Sequence, residues 1–339
     1  MEIRRLNTLR GLAALIVVVS HYSNASGLWD KALGNGAGSI GVALFFLLSG
    51  FLMSYLYFGQ PANALNISNF AVARIARVIP LFYVMAIASF IAAKGYNSVL
   101  YEIDSLPLLL SHLFFLYGVS VLWTIPPEIQ FYALFALGWI IHSRIGKGIY
   151  RSAVAIVFIA LFFFSGNDQT TKIAGLTFSR IIFSVLPYFI AGSILGQVYH
   201  RYKIPAKARS NFYLLALLFI PLLYPTIFFN ITGRYYGSWA APPVVLLLSA
   251  IFFAVVFLVP DKNILLENAI GDFLGRVSYS LYLLQIPVLR ILCRWGLQYN
   301  FWGLVLFIAA ATMAAYLSYT VIEVPSRKLI RRSFSRQAA

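Results

Sequence analysis

Long apolar runs recur along the whole of this chain, and they limit its fold more than any other feature. Hydrophobic residues make up 61% of the 339 residues, charged residues only 11%, and the mean hydropathy is +0.82. A soluble domain carries about 25% charged residues, so this chain has too few charges for a water-exposed surface. Runs of about 20 apolar residues are long enough to cross a bilayer as helices. The chain is therefore predicted to be an all-α polytopic membrane protein.

The apolar runs divide into ten predicted membrane-spanning helices. Their approximate bounds are residues 6–23, 39–57, 78–94, 124–142, 152–165, 176–197, 211–229, 242–259, 276–292 and 301–322. The segment 105–121 is also apolar, but counting it as a span would place the basic loop at 144–151 outside the cell. We therefore expect it to be a re-entrant or surface-lying helix. No polar block is long enough for a soluble domain, so residues 1–339 are expected to form one integral-membrane domain.

Basic residues are concentrated in alternate loops, and the formal net charge is +16. The richest loops contain Arg4 and Arg5; Arg74 and Arg77; Arg144, Lys147 and Arg151; Arg201, Lys203, Lys207 and Arg209; and Arg327, Lys328, Arg331, Arg332 and Arg336. Membrane proteins carry such loops on the cytoplasmic side, which predicts that both termini are cytoplasmic. A nucleic-acid-binding protein would display its basic residues on a soluble surface, so nucleic acid is not an expected partner.

The chain offers few residues for covalent cross-links or metal binding. Cys293 is the only cysteine, which excludes an intrachain disulfide and a thiolate cluster. The sequence has no His-x-x-x-His or carboxylate-rich motif, so no metal is expected. The first 27 residues also resemble a secretory signal peptide, and this alternative predicts a shorter mature chain.

Two ionisable residues, Arg10 and His21, lie in the first predicted helix with ten uncharged residues between them. Eleven helical steps of about 100° bring both to nearly one face, about 16 Å apart along the axis. An imidazole titrates near neutral pH and can act as a general base, whereas a guanidinium binds phosphate or carboxylate. The alternatives are a neutral core histidine and an arginine that reaches toward the membrane interface. Because ionisable groups inside a span are costly, the pair favours a lined cavity.

Arg74 and Arg77 are three residues apart and share one helix face near the inner end of the third predicted span. Two interpretations stay open, since they could bind lipid headgroups or the phosphates of a cytosolic donor. In residues 41–51, the small Ser49 and Gly50 allow a neighbouring backbone to come close, which indicates helix packing. Ser49 is also a candidate cavity residue.

Glu128 follows Trp123 and two prolines at the start of the fourth predicted span. The prolines fit a first helical turn, where the helix dipole stabilises a carboxylate. The functional interpretation is that Glu128 orients His21 or receives an acceptor hydroxyl. Trp123 and Tyr132 are typical of a membrane interface and are candidate cavity residues.

Ser278 and Tyr282 place hydroxyl groups inside the ninth predicted span, and Glu323 places a carboxylate at the inner end of the tenth. Such groups cost free energy in lipid unless they are paired or line water. All three are therefore candidate cavity residues. Glu323 has an alternative role as the partner of a basic inner loop.

Taken in order, these segments resemble the motifs of acyltransferase family 3, a family of integral-membrane acyltransferases. The matching segments are Arg10 and His21 with their ten-residue spacing, residues 41–51, Arg74-x-x-Arg77-x-x-Pro80, residues 123–132, residues 278–283 and residues 323–325. The match covers nearly the entire chain. Each motif alone is weak, but the ordered set is specific.

The resemblance implies ten spanning helices in a bacterial cytoplasmic membrane and O-acyl transfer from cytosolic acyl-coenzyme A, a co-substrate rather than a bound cofactor. It implies an acetyl group and, as acceptor, a hydroxyl of an extracytoplasmic or lipid-linked carbohydrate such as exopolysaccharide or O-antigen. His21 and Glu128 are expected to be catalytic, with His21 as the general base. Arg10, Arg74 and Arg77 are expected to bind the donor. The chain is expected to be the stand-alone form, without a fused periplasmic domain.

The chain departs from the family pattern in two places. After Trp123 it has Thr-Ile-Pro-Pro where many members have Ser-Leu-Ser-Val, so only Glu128 carries over. Gln285 stands where members often have a histidine. An amide cannot exchange a proton near neutral pH, so Gln285 is assigned no acid–base role.

The expected mechanism uses one cavity open to both sides of the membrane. Direct attack on the thioester and a covalent acyl-histidine intermediate both stay open. A glycolipid or polysaccharide transporter or flippase would use a similar polar cavity without consuming a thioester. A membrane scaffold without chemistry would tolerate changes at Arg10 and His21.

Overall fold

The computed structural model describes residues 3–93, 100–145, 154, 156–157, 170–296 and 299–337. Its α-helices are α1 Arg4–Ser26, α2 Ala37–Tyr57, α3 Ala64–Ala93, α4 Leu106–Leu113, α5 Ile125–Ile145, α6 Ile182–Arg201, α7 Pro225–Thr232, α8 Pro242–Phe253, α9 Ala269–Arg294, α10 Phe301–Ser318 and α11 Val324–Gln337. Short 3-10 segments cover Leu28–Lys31, Ser120–Thr124, Ala206–Ala208, Asn211–Phe219 and Pro221–Leu223, and π-helical segments cover Ala254–Leu258 and Tyr319–Glu323. Two strands, β1 Thr170–Ile173 and β2 Leu176–Ser179, form an antiparallel hairpin.

Four of the described helices are long and apolar enough to cross a membrane. They are α2, α3, α6 and the continuous helix Phe301–Phe334, and the bent pair Asn211–Leu223 and Pro225–Thr232 counts as a fifth where it is taken as one span. The described chain is thus a helical, multi-pass membrane protein, as the apolar runs predict.

Most predicted spans coincide with a helix, but several begin or end elsewhere. The span predicted at 78–94 is the second half of α3, so Arg74 and Arg77 lie in a helix interior. The segment 105–121 contains only the eight-residue α4 and therefore no full span. The span predicted at 152–165 lies almost wholly outside the described residues.

Two predicted spans differ from the structure for identifiable reasons. Residues 176–179 belong to a β-hairpin, because Ala174 and Gly175 both have positive φ angles, 52° and 80°, as a tight hairpin turn requires. The helix predicted there begins only at Ile182. The span predicted at 211–229 is bent by 88°, with Pro225 opening a new helix after the break.

Helices α2 and α6 pack backbone to backbone at glycine positions. A Cβ atom added to Gly50 would lie 2.1 Å from the carbonyl oxygen of Phe189, and one added to Gly192 would lie 2.0 Å from that of Leu47. Only a residue without a side chain permits such an approach. The close packing predicted at Gly50 is confirmed.

Helix α1 lies equally close to α9. A Cβ atom on Gly275 would lie 2.5 Å from the carbonyl oxygen of Asn7, and one on Gly11 would lie 2.6 Å from Cβ of Leu274. This contact brings the polar side chains of α9 to the face of α1 that carries His21.

The buried Arg5 anchors the start of α1 to the connection between α8 and α9. Its guanidinium donates to the carbonyl oxygens of Val256 and Val259, at 3.0 and 2.9 Å, and forms an ion pair with Glu267 at 2.7 Å. A buried charge is tolerated when it is paired and hydrogen-bonded in this way. Arg5 thus fixes the position of the helix that carries Arg10.

Candidate active site

A small cavity of about 50 Å³ lies between α1, α2, α3, α5 and α9 and is called the Arg10 cavity here. Its lining consists of Arg10, Val42, Phe45, Phe46, Ser49, Arg77, Val78, Thr124, Ile125, Glu128, Ser278, Tyr279 and Tyr282. Six of the predicted site residues therefore meet in one place, although they come from five helices. The sequence order of the motifs does not reveal this convergence.

Positive charge exceeds negative charge around the Arg10 cavity. Arg10, Arg77 and Glu128 line it, and Arg74 is close enough to act electrostatically on Arg10, so three guanidinium groups stand against one carboxylate. Among the described residues, none accepts a hydrogen bond from Arg10 or Arg77. The Nε atom of Arg74 is buried and also has no described partner. Guanidinium groups in this state are suited to bind an anion with several oxygens.

Arg74 reaches this cluster from the side of α3. Its guanidinium carbon lies 5.8 Å from the ring centre of Tyr57 and 5.9 Å from that of Phe70. Both distances are typical of cation–π contacts, which hold the charge without neutralising it.

Glu128 is held by two hydroxyl groups rather than by His21. Its Oε1 accepts hydrogen bonds from Ser49 Oγ at 3.0 Å and from the hydroxyl of Tyr132 at 2.5 Å. The two prolines place Glu128 in the first turn of α5, which faces the Arg10 cavity. The structure does not bring Glu128 to His21, so the orienting contact expected between them is absent among the described residues.

A second and larger cavity, of about 500 Å³, contains the imidazole of His21 and is called the His21 cavity. Its lining consists of Val17, Ser20, His21, Asn24, Gly36, Gly38, Ser39, Val42, Tyr117, Gly118, Ser120, Val121, Trp123, Pro126, Thr170, Ser179, Ile181 and Tyr282. Hydroxyl, amide and aromatic groups predominate, and among these described lining residues there is no Asp, Glu, Lys or Arg. Such a surface suits an uncharged, hydroxyl-rich ligand.

The partner of His21 is Gln285 on α9. The Nδ1 atom of His21 lies 3.1 Å from Oε1 of Gln285, and the Nε2 amide of Gln285 donates to the carbonyl oxygen of Tyr282 at 3.1 Å. Gln285 is fully buried, whereas His21 is partly exposed to its cavity.

Val42 and Tyr282 form the wall between the two cavities, because they alone among the described residues line both. The Tyr282 ring meets Phe45 edge-on, with 6.0 Å between ring centres, and its hydroxyl lies beside Thr124. The sequence predicts one cavity open to both sides of the membrane. Around Arg10 and His21, the described residues instead line two cavities, with Arg10 on one side of this wall and His21 on the other.

Three further predicted residues are placed as follows. Trp123 lines the His21 cavity, and Ser278 lines the Arg10 cavity while donating to the carbonyl oxygen of Gly275 at 2.9 Å. Glu323 lines neither cavity. It is buried, accepts a hydrogen bond from Ser280 Oγ at 2.6 Å and pairs with Arg327 one turn later. Arg327 belongs to the basic segment predicted at the inner end of the last span, so the alternative role of Glu323 as its partner is confirmed. In the structure Glu323 joins the middle of α9 to the start of α11.

Several lining residues were not among the predicted ones. Ser20 and Asn24 flank His21 on α1, and Asn24 could have been found from its i+3 spacing to His21. Thr170 and Ser179 belong to the hairpin, which has no helical periodicity and gave no such signal. No group of three or more metal-binding side chains occurs among the described residues.

The chain is similar to bacterial proteins with related names. It is 25% identical to the exopolysaccharide production protein ExoZ of Rhizobium meliloti, over 88% of this chain and 90% of ExoZ. It is 25% identical to YrhL of Bacillus subtilis, provisionally named a peptidoglycan O-acetyltransferase, and 24% identical to the peptidoglycan O-acetyltransferase OatA of Listeria monocytogenes. These two matches cover 98% and 95% of this chain but only 56% and 55% of the relatives, so the chain spans about half their length.

No solved structure matches the chain. The sequence profile of a family described as "Acyltransferase domain" matches residues 3–323, which is nearly the whole chain. The resemblance seen in the ordered motifs is thus confirmed, and the protein belongs to the acyltransferase-domain family.

Proposed function

We propose that the protein is a membrane O-acyltransferase that moves an acetyl group from acetyl-coenzyme A to a hydroxyl of an extracytoplasmic or lipid-linked carbohydrate. The Arg10 cavity is the donor side and the His21 cavity is the acceptor side. The observation that carries this proposal is the contact between a cationic cavity and a neutral, imidazole-containing cavity at one wall.

The donor assignment is supported by the surplus of positive charge. Coenzyme A carries several phosphate groups, and the guanidinium groups of Arg10, Arg74 and Arg77 offer charge-assisted hydrogen bonds that no described protein group uses. The carboxylate of Glu128 reduces the excess of positive charge, and hydrogen bonds from Ser49 and Tyr132 hold it beside the arginines. In this proposal Glu128 shapes the donor site and does not act on the acceptor.

The acceptor assignment is supported by the neutral lining of the larger cavity. Hydroxyl and amide groups such as those of Ser20 and Asn24 can exchange hydrogen bonds with sugar hydroxyls, while Trp123 and Tyr117 offer flat apolar surfaces. The names of the relatives point to polysaccharide and peptidoglycan, which are hydroxyl-rich carbohydrates.

The chemical step then follows from the position of His21. The unprotonated ring nitrogen removes the proton from the acceptor hydroxyl as that oxygen attacks the thioester carbonyl carbon. The C–O bond forms, the C–S bond breaks, and the thiolate of coenzyme A takes the proton from the imidazolium. No external oxidant or metal is required for this balance.

The donor has to cross the wall between the cavities. Arg10 and His21 are eleven residues apart on α1, which corresponds to about 16 Å along the helix axis. With its phosphates at Arg10, the extended pantetheine arm of coenzyme A would pass between Val42 and Tyr282 to present the thioester at His21. The side chain of Tyr282 must turn away for this passage.

The charge pattern orients the two cavities in the proposed membrane topology. We propose ten spans with cytoplasmic termini in a bacterial cytoplasmic membrane, since the basic loops alternate along the chain. Arg10 follows the basic start of α1, so its cavity faces the cytoplasm, where acetyl-coenzyme A is made. The His21 cavity then faces outward.

Radiolabelled acetyl-coenzyme A added to proteoliposomes tests this function directly. With peptidoglycan fragments and deacetylated exopolysaccharide as the two acceptor probes, the label should enter a glycan while an equal amount of free coenzyme A is released. Movement of a glycan across the bilayer without release of coenzyme A would identify a transporter instead. Absence of both acetyl transfer and glycan transport would favour a membrane scaffold and refute the proposed acyltransferase activity.

A further inference from the structure

Gln285 is the only side chain in the described part of the molecule that hydrogen-bonds to His21. It is fully buried on α9, and both ends of its amide are engaged, one by His21 and the other by the carbonyl oxygen of Tyr282. The mechanism above makes no use of this residue. Its chemistry also excludes proton exchange near neutral pH, so any role must act through His21.

The two hydrogen bonds determine which way the amide points. A backbone carbonyl only accepts hydrogen bonds, so the NH₂ group of Gln285 must face Tyr282 O, at 3.1 Å. The amide oxygen therefore faces Nδ1 of His21, also at 3.1 Å. An amide oxygen only accepts as well, and consequently Nδ1 carries the hydrogen.

We infer that Gln285 is a positioning residue that holds His21 as the Nδ1–H tautomer, with the lone pair of Nε2 directed to the acceptor; this inference rests on the proposed function. A neutral imidazole carries one N–H, so a hydrogen at Nδ1 leaves Nε2 free to accept a proton. No described residue hydrogen-bonds to Nε2, and the ring lines the His21 cavity. The tautomer held by Gln285 is thus the one a general base at this cavity requires.

The contact also persists through the reaction. When Nε2 takes the acceptor proton, Nδ1 keeps its own hydrogen and continues to donate to the same amide oxygen. Neither the ring nor Gln285 has to move between the two protonation states. A carboxylate in this place would also accept from Nδ1, but it could not donate to the carbonyl oxygen of Tyr282 and would add a negative charge.

The charged and titratable groups near His21 are few in the described part of the chain. Tyr117 and Tyr282 are the other titratable residues that line its cavity. On α1, Tyr22 donates to the carbonyl oxygen of Asn300. On α9, Arg290 donates to the carbonyl oxygen of Leu100 and pairs with Glu102. A charge introduced at position 285 is therefore the main electrostatic change that the ring would experience.

Two substitutions at position 285 separate tautomer control from a merely structural role. Gln285→Leu keeps the side-chain size but removes the acceptor, so kcat should fall about 10- to 100-fold, as for other groups that orient a functional histidine. The KM values for both substrates should stay within about twofold, because neither substrate site contains this side chain. Gln197→Leu on α6 is the matched control, since Gln197 lines neither cavity.

Gln285→Glu restores the acceptor for Nδ1, replaces the donor to the carbonyl oxygen of Tyr282 by a second acceptor, and adds a charge. It should recover part of the kcat lost in Gln285→Leu, because Nδ1 again has an acceptor. The acid limb of its pH–rate profile should move to higher pH, because a carboxylate favours the protonated ring. A Gln285→Leu variant with the kcat and pH profile of Gln197→Leu would overturn the inference. If the wild-type protein itself transferred no acetyl group, the proposed function would be refuted instead, so the two failures are distinguishable.

Discussion

Arg10 is predicted to bind acetyl-coenzyme A but to destabilise the folded protein when no donor is bound. Its guanidinium lies beside Arg77 and Arg74, with no described hydrogen-bond acceptor of its own. In the absence of an anion these like charges repel one another. Removing one of them should therefore leave folding unchanged or strengthen it, which is the reverse of the usual effect of a substitution at a structural arginine.

The magnitude follows from the geometry of a guanidinium and a phosphate. A two-bond contact, at about 1.5 kcal/mol for each charge-assisted hydrogen bond, contributes about 3 kcal/mol. This corresponds to about 100-fold in affinity, since every 1.4 kcal/mol is about tenfold. Arg10→Ala should thus raise the apparent KM for acetyl-coenzyme A about 100-fold. Arg10→Lys keeps the charge but cannot make the two-bond contact of a guanidinium, so its apparent KM for acetyl-coenzyme A should rise only about tenfold.

The assay is the initial rate of labelled acetyl transfer against acetyl-coenzyme A concentration, combined with thermal unfolding in detergent followed by tryptophan fluorescence. Arg276→Ala is the control, because Arg276 is exposed on α9 and lines neither cavity. An unchanged KM in Arg10→Ala would refute the donor site. A lowered unfolding temperature with normal KM would show that Arg10 is a structural residue.

Two further predictions concern the wall and the helix packing. Val42→Phe should lower kcat more than tenfold, because the larger ring narrows the passage beside Tyr282. The KM for acetyl-coenzyme A should change much less than in Arg10→Ala, because the arginines that bind the phosphates are unchanged. Val42→Ala is the control, and wild-type initial rates in Val42→Phe would argue against the passage. Gly192→Ala should destabilise the protein by about 1–3 kcal/mol, because its Cβ would lie 2.0 Å from the carbonyl oxygen of Leu47. Thermal unfolding measures this, with Ile194→Ala as the control because Ile194 is exposed on the same helix. An unchanged unfolding temperature in Gly192→Ala would contradict the packing.

The helices and several residues of the Arg10 cavity were predictable from the sequence. The long apolar runs mark α1, α2 and α10 because a span of this length has no stable alternative in lipid. Arg10, Ser49 and Glu128 were recognisable because polar groups inside or beside such runs are costly and hence informative.

The contacts between these residues were not predictable in the same way. The partner of His21 depends on how closely α9 approaches α1. Glycines allow this approach, and the periodicity of neither helix predicts it. The sequence assigned Gln285 no acid–base role, and the orientation of its amide could be assigned only from the contact with the carbonyl oxygen of Tyr282. The hairpin at 170–179 was missed because its strands are short and partly apolar.

The separation of the Arg10 cavity from the His21 cavity was also missed, since it requires Val42 and Tyr282 from two different helices. Helical spacing places Arg10 and His21 on nearly one face, and this suggests a single cavity. The side chains of Val42 and Tyr282 divide that space into two cavities, and no charge or sequence motif indicates this division.

The central claim is that His21 catalyses acetyl transfer between two sides of a membrane. Labelled acetyl-coenzyme A sealed inside proteoliposomes, with the glycan acceptor added only outside, measures that transfer directly. The wild-type protein should acetylate the external glycan, and His21→Ala should do so at least about 100-fold more slowly while folding normally. External acetylation by His21→Ala at the wild-type rate would contradict the account.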